Sequence, residues 1–193
     1  MAKIILASSS PRRIELFRNI GLEKVKVIAP DVDEKTSLSM PPEDLVAHWA
    51  QKKAEAVSAL VGPEDIVVAA DTMVHFDGNI LGKPEDEADA FRMLTLLSGS
   101  WHTVYTGVTV RQGTEALTEI EATSVLIRSL SGEQIESYIE TGEPLDKAGA
   151  YGIQGRGSLL VERIEGDFFN VMGLPVYRTS LILERFGIDL FRV

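Results

Sequence analysis

Residues 4–13 read Ile4-Ile5-Leu6-Ala7-Ser8-Ser9-Ser10-Pro11-Arg12-Arg13. The apolar run Ile4-Ile5-Leu6-Ala7 predicts a buried strand. In the following Ile14-Glu15-Leu16-Phe17, apolar residues recur at helical spacing. Pro11 suits the first helical position, where its missing N–H has no intrahelical partner to lose. Any of the three serines can cap that helix. The stretch is therefore strand, polar turn, helix N-terminus, and it sets the pattern of an α/β chain. Such a turn offers backbone N–H groups and the positive end of a helix dipole to an anion. Two adjacent arginines add to this, because a guanidinium binds phosphate through paired hydrogen bonds and stays charged. No acidic residue precedes Glu15. The same residues also fit a capped surface helix with two solvated arginines, and the segment alone leaves both readings open.

Around this stretch lies a chain of 193 residues, long enough for one domain or one domain with two lobes. Its 45% hydrophobic and 25% charged residues suit a soluble globular protein with an ample core. The net charge of −10 argues against nonspecific binding to nucleic acid or anionic membrane. It leaves room for a small phosphorylated ligand in a local basic pocket. With no cysteine, disulfides and thiolate zinc sites are excluded. No secretory h-region is present, and no apolar run approaches the ~20 residues needed to span a bilayer, so a cytoplasmic protein is expected.

Further along, Val25–Ala29 alternates like a strand, and an acidic loop from Pro30 to Thr36 runs on to Met40-Pro41-Pro42. The spacing predicts a helix over 43–61. Leu45, Val46, Trp49, Ala50, Ala54, Val57, Leu60 and Val61 cover one half of it, with Lys53 near the middle of that apolar half and Lys52 at its edge. A lysine so placed is costly unless it snorkels out or meets an anion. Ile66–Ala70 reads as a central strand ending in the polar pair Asp71-Thr72. Asp77-Gly78 predicts a hairpin turn between Met73–Phe76 and Asn79–Leu81. A helix from Glu85 should bury Ala90, Phe91, Met93, Leu94 and Leu97. Residues 101–111 and 116–127 form a long hairpin, 131–140 a helix, 158–162 a strand, and 174–186 the last helix. Trp49, Trp101 and the phenylalanines are expected in the core. Strands and helices mix, with hairpins in the middle, which gives α/β with a mixed sheet.

Several residues can carry chemistry. If the strands before Ser8 and Asp71 are parallel neighbours, Asp71 faces the arginine turn at the carboxyl end of the sheet, where α/β proteins collect ligands. A carboxylate there can take a proton from water or hold a divalent metal; it can also merely cap a loop. Gly82-Lys83-Pro84 is no P-loop, since Gly78 lies one residue too near and Pro84 replaces the magnesium-binding hydroxyl. Gly82 permits close approach of a ligand, and Lys83 is an extended-chain cation. The stretch Lys147–Gly157 holds four glycines and reads as a ligand-approach loop or a set of irregular turns rather than a packing element. Within it Gln154 has the donor and acceptor needed to read a base edge. His48, His75 and His102 show no metal spacing. The set describes a cation-lined pocket for an anion, best read as a nucleotide.

These motifs resemble the Maf family of nucleoside triphosphate pyrophosphatases. The resemblance rests on Ser8-Ser9-Ser10-Pro11-Arg12-Arg13, Lys53-Ala54, Ala70-Asp71-Thr72, Gly82-Lys83-Pro84, Lys147–Gly155 and Gly166–Pro175, in the family's order and over nearly the whole chain. It implies a single domain, 1–193, with an elongated mixed sheet, flanking helices and a cleft between two lobes, similar to the inosine triphosphatases. It implies cleavage of a nucleoside triphosphate between its α- and β-phosphates, with a divalent cation (Mg or Mn), and a homodimer. Asp71 resembles the proton acceptor. Ser9, Arg13, Lys53 and Lys83 match the phosphate-handling positions, and Arg12, Thr72 and Gln154 those of substrate selection. Glu34, with Asp71, matches the carboxylates near the metal, and Asp31 and Asp33 in the same acidic loop are competing candidates for the Glu34 position. Gly152-Ile153-Gln154-Gly155 resembles the branch acting on dTTP, UTP and modified pyrimidine triphosphates, not the 7-methyl-GTP branch. A regulatory role in inhibiting septum formation, also linked to the family, is the competing expectation.

Overall fold

The computed structural model describes residues 3–33 and 40–192; Glu34 lies outside the described residues. Its elements run β1 (Ile4–Ala7), α1 (Pro11–Asn19), β2 (Lys26–Ile28), α2 (Pro42–Ser58), β3 (Ile66–Phe76), β4 (Asn79–Leu81), α3 (Glu87–Leu97), β5 (Trp101–Gln112), β6 (Glu115–Ile127), α4 (Gly132–Ile139), β7 (Val161–Glu165), α5 (Phe168–Met172) and α6 (Val176–Arg185). The strands form a seven-stranded sheet ordered β2-β1-β3-β5-β6-β7, with β4 beside β3. β1 runs parallel to both β2 and β3, with Ala7 opposite Ile28 and Ala69. β4 pairs antiparallel with β3, and β7 with β6. The expected mixed α/β sheet with flanking helices is therefore present.

The chain divides into two compact units, residues 1–71 with 106–121 and 173–193, and residues 72–105 with 122–172. In the first, α2 lies on the sheet. Ile5, Ala7, Val67 and Ala69 point to one face, as period-two alternation requires, and pack against Ala54 and Val57. Three alanines at this contact let the helix come close. Gly107 shows how close, because a Cβ there would stand 2.5 Å from the carbonyl oxygen of Val46 in α2. In the second unit, Ala90, Met93, Leu94 and Leu97 of α3 pack with Val74, Leu81, Val104, Val125 and Ile127 of the strands and with Ile135, Tyr138 and Ile139 of α4. Phe91, expected to be buried, sits half-buried at the margin of this cluster. The Asp77-Gly78 turn is as expected, both residues having positive φ (48° and 76°), and it places Phe76 opposite Asn79.

The structure corrects several expectations. β3 does not stop before Asp71; it continues through Asp71 and Thr72 to Phe76, because the apolar run and the hairpin arm join into one strand. Residues 155–159 form a short 3-10 turn, and the strand expected at 158–162 lies at Val161–Glu165. α3 begins at Glu87, since Asp86 caps it by accepting the Asp89 N–H at 2.8 Å. Trp101 is 41% exposed, and Phe168 and Phe169 are exposed too, whereas Trp49 and Phe17 are core residues.

Candidate active site

In the first unit the opening stretch forms as its residues dictate. β1 ends at Ala7, and the buried Ser8 hydroxyl accepts the Ser10 N–H at 3.1 Å. Ser10 takes the cap position in extended conformation, but its side chain makes no capping bond. Pro11 is the first helical residue, and no acid sits in the first turn. Ser9 is exposed, and Arg12 and Arg13 are half-buried. Arg13 Nε donates to the carbonyl of Gly173 at 2.6 Å, which fixes its guanidinium plane.

Lys53 has found its anion. Its Nζ lies 2.6 Å from Asp71 Oδ1, with the two residues 7% and 5% exposed. Both ends of the pair follow from the pattern around them. Lys53 lies on the face of α2 that buries Ala54 and Val57, and Asp71 is in phase with Val67 and Ala69, the β3 residues that α2 covers. Pairing of β1 with β3 reaches Ala69, so Asp71 stands two residues past the end of β1, where the Ser8–Arg13 turn begins. Ion pairing requires Asp71 as carboxylate and Lys53 as ammonium. Removing either alone would take away the oppositely charged neighbour of a buried group, typically at a cost of about 3–5 kcal/mol. A carboxylate so held can accept a proton or offer an oxygen to a hard cation.

For a divalent metal, the described residues contain no group of three or more His, Asp or Glu side chains placed to share one. Asp71 is the described member of the expected carboxylate pair. Mg²⁺ commonly takes one or two protein carboxylates and completes its shell with substrate phosphates and water. The oxygen donor at Asp71 suits that mode.

The second unit carries Thr72, Lys83 and Gln154. Thr72 follows Asp71 along β3 and is half-buried; Lys83 is exposed in the segment after β4. Gln154 is half-buried in the glycine-rich stretch. The two segments are tied together, as Gly149 N–H donates to the carbonyl of Gly82 at 3.0 Å. The glycines, however, are packing positions. A Cβ on Gly149 would lie 3.0 Å from Val74, and one on Gly157 would lie 2.1 Å from the carbonyl oxygen of Gly152. Close approach here is of the protein to itself.

Sequence reading missed the side chains that hold this loop. Glu143 and Tyr138 bond to its backbone. Tyr151 meets His102 at 2.6 Å between hydroxyl and Nε2, and both are buried. Burial lowers His102 to about 4 and raises Tyr151. Thr123 and Asn170 anchor the stretch after Gly166, Asn170 donating to the carbonyl of Val104 at 3.0 Å and to the Thr123 hydroxyl at 2.9 Å. None of these contacts has a local sequence signal, because each joins residues far apart or across a turn.

Comparison with known proteins places the chain among close relatives. The family model described as Maf-like protein matches residues 3–186. The chain is 49% identical to a dTTP/UTP pyrophosphatase of Caldicellulosiruptor bescii, over 100% of this chain and 98% of that one. It is 51% identical to one of Symbiobacterium thermophilum (99% and 97%) and 50% identical to one of Moorella thermoacetica (99% and 98%), both bearing the same name. Among solved structures, the Ham1 protein of Staphylococcus aureus aligns with a TM-score of 0.46 at 20% identity, over 65% of this chain and 71% of that one. A HAM1 protein from Coxiella burnetii aligns with 0.44 at 15%, over 66% and 73%.

Proposed function

The chain belongs to the Maf-like protein family, and from that premise we propose that it is a nucleoside triphosphate pyrophosphatase acting on dTTP and UTP. The reaction yields the nucleoside monophosphate and pyrophosphate, and its cellular role is house-cleaning of the nucleotide pool. The observation that carries the chemistry is the buried Lys53–Asp71 pair, 2.6 Å apart. The substrate class draws on the names of relatives about half identical over the full length.

In this reading Asp71 accepts a proton from water as the water oxygen bonds to the α-phosphorus. The bond from the α-phosphorus to the oxygen bridging to the β-phosphate breaks, and pyrophosphate leaves with that oxygen. Lys53 holds the Asp71 carboxylate in place as its charge is spent. The turn bearing Ser9 and Arg13, together with Lys53 and Lys83, handles the phosphates; the Arg13 tether to Gly173 supports a fixed clamp. Arg12, Thr72 and Gln154 select the nucleotide. A bound Mg²⁺ or Mn²⁺, with Asp71 and Glu34 as protein oxygens, would neutralise charge on the triphosphate. The family resemblance supports a cytoplasmic homodimer; among the described residues no helix is long and apolar enough to cross a membrane.

A panel of dTTP, UTP, CTP and 7-methyl-GTP with Mg²⁺ or Mn²⁺, scored for pyrophosphate, tests the proposal. Release from dTTP and UTP is expected. Release of orthophosphate instead, or none from either nucleotide, would overturn it.

A further inference from the structure

The Glu143 carboxylate stands where the glycine-rich loop closes on itself. Its Oε1 accepts the Gly157 N–H at 2.9 Å and the Tyr138 hydroxyl at 3.0 Å, and its Oε2 accepts the Arg156 N–H at 3.0 Å. The Tyr138 oxygen in turn accepts the Gly152 N–H at 3.2 Å. Residues 152, 156 and 157 thus hang on one carboxylate–phenol pair, and Gln154 lies in the span between them. The closure needs glycine. At Gly155, with φ of +62°, a Cβ would come within 2.8 Å of Glu143 Oε2; at Gly157 it would come within 2.7 Å of the Tyr138 hydroxyl.

Glu143 is itself braced. Its N–H donates to the Thr141 hydroxyl at 3.1 Å, and Lys147 Nζ donates to its carbonyl at 2.6 Å. Burial pushes the carboxyl upward, but the Gly157 and Arg156 N–H groups, the Tyr138 hydroxyl and the Lys147 charge together hold it below its ordinary range. It therefore accepts as an anion, and such bonds are stronger than neutral ones.

We propose that Glu143 is a positioning residue for nucleotide selection, fixing the backbone of residues 152–157 so that Gln154 presents its amide to the base edge at a set place. This rests on the reading of Gln154 as the group that meets the base. Glu143 acts through Gln154 and leaves the chemistry at phosphorus to Asp71.

The test is steady-state kinetics of the full chain on dTTP, UTP and GTP, for wild type, Gln154→Ala, Glu143→Gln, Tyr138→Phe and the double variant Glu143→Gln/Gln154→Ala. A glutamine has one acceptor oxygen in place of two and puts an NH2 against a backbone N–H. Glu143→Gln is expected to raise KM for dTTP and UTP roughly tenfold, the scale of one lost charge-assisted hydrogen bond, with kcat within about threefold. Preference over GTP should fall in step. In the Gln154→Ala background, Glu143→Gln should change that preference no further, which a merely structural role would not produce. If Glu143→Gln fails to fold in a thermal melt, Tyr138→Phe carries the same comparison from the other side of the pair.

Unchanged preference in Glu143→Gln beside an altered preference in Gln154→Ala overturns the positioning role alone. So does a shift that adds in full to that of Gln154→Ala. Unchanged preference in Gln154→Ala overturns the reading of Gln154, and the proposal with it.

Discussion

Two acids organise the two units, and they are satisfied in opposite ways. Asp71 faces a side chain of opposite charge, the Lys53 ammonium at 2.6 Å. The Glu143 carboxylate accepts hydrogen bonds from neutral donors, two backbone N–H groups and a phenol, with the nearby Lys147 charge adding to their effect. The first arrangement keeps a reactive charge in a buried place and makes two residues depend on each other. The second spends its charge on holding a loop in shape. A base for chemistry and an anchor for geometry therefore look different at the atomic level, the first fully buried within a strand and the second half-buried beside a glycine-rich loop.

The contrast predicts its largest effect at Asp71. Asp71→Asn should lower turnover by about 10²- to 10⁴-fold, the range for loss of a general base, while dTTP still binds. The pair can then be taken apart from the stability side. Lys53→Met alone removes the ammonium that faces a buried carboxylate and should cost about 3–5 kcal/mol in urea unfolding. Lys53→Met with Asp71→Leu should recover most of that stability and none of the activity, since apolar replacement of a buried pair is often neutral. A double variant that stayed as unstable as Lys53→Met would show that the pair is not the mutually dependent unit described.

How these features appear in the sequence follows the same division. Lys53 was legible because helical periodicity put a cation in an apolar arc, and Asp71 because it followed a continuous apolar strand. Periodicity reports which way a side chain points, and at this site the direction is nearly the whole answer. It also misled, since Asp71 and Thr72 read as a turn although β-structure carries through them to Phe76. Polarity ends a burial pattern without ending a strand. The glycine loop failed for a different reason. Glycine content signals close approach but not of what, and here Gly149 approaches Val74 and Gly157 approaches the backbone of Gly152. Glu143, Tyr138 and His102 were silent because backbone donors and distant partners leave no trace in spacing.

The second unit also depends on a neutral group, which gives the next effect in size. His102 is buried, its Nε2 is engaged by the Tyr151 hydroxyl, and its Nδ1 has no partner among the described residues. An imidazolium would need acceptors at both nitrogens, so burial lowers its pKa to about 4 from the ordinary 6.5. Between those values the unfolded chain binds the proton and the folded chain does not. The stabilisation is therefore complete above pH 6.5 and is lost progressively as pH falls towards 4, reaching roughly 3 kcal/mol. Unfolding free energies measured from pH 7 to pH 4 should show this loss, and His102→Gln should remove that share of the slope. An unaltered slope in the variant would place the acid sensitivity in other groups.

The smallest effects separate packing glycines from one that faces open space. Gly157→Ala puts a methyl 2.1 Å from the Gly152 carbonyl oxygen, a backbone atom that cannot swing away. Overpacking of this kind should cost about 1–3 kcal/mol, and it should disturb Gln154 selection with it. Gly82 has no heavy atom within 4 Å of an added Cβ and no positive φ, so Gly82→Ala should change stability by less than about 0.5 kcal/mol. Its neighbour Lys83 is proposed to handle phosphate, and a ligand that comes close to this backbone would meet the new methyl. The expected signature is an unchanged melting temperature with KM for dTTP raised about threefold, and with kcat held, because uniform binding alone is lost. If KM stays at the wild-type value, the space beside Gly82 is not used by the substrate, and the role of this backbone is to receive the Gly149 N–H.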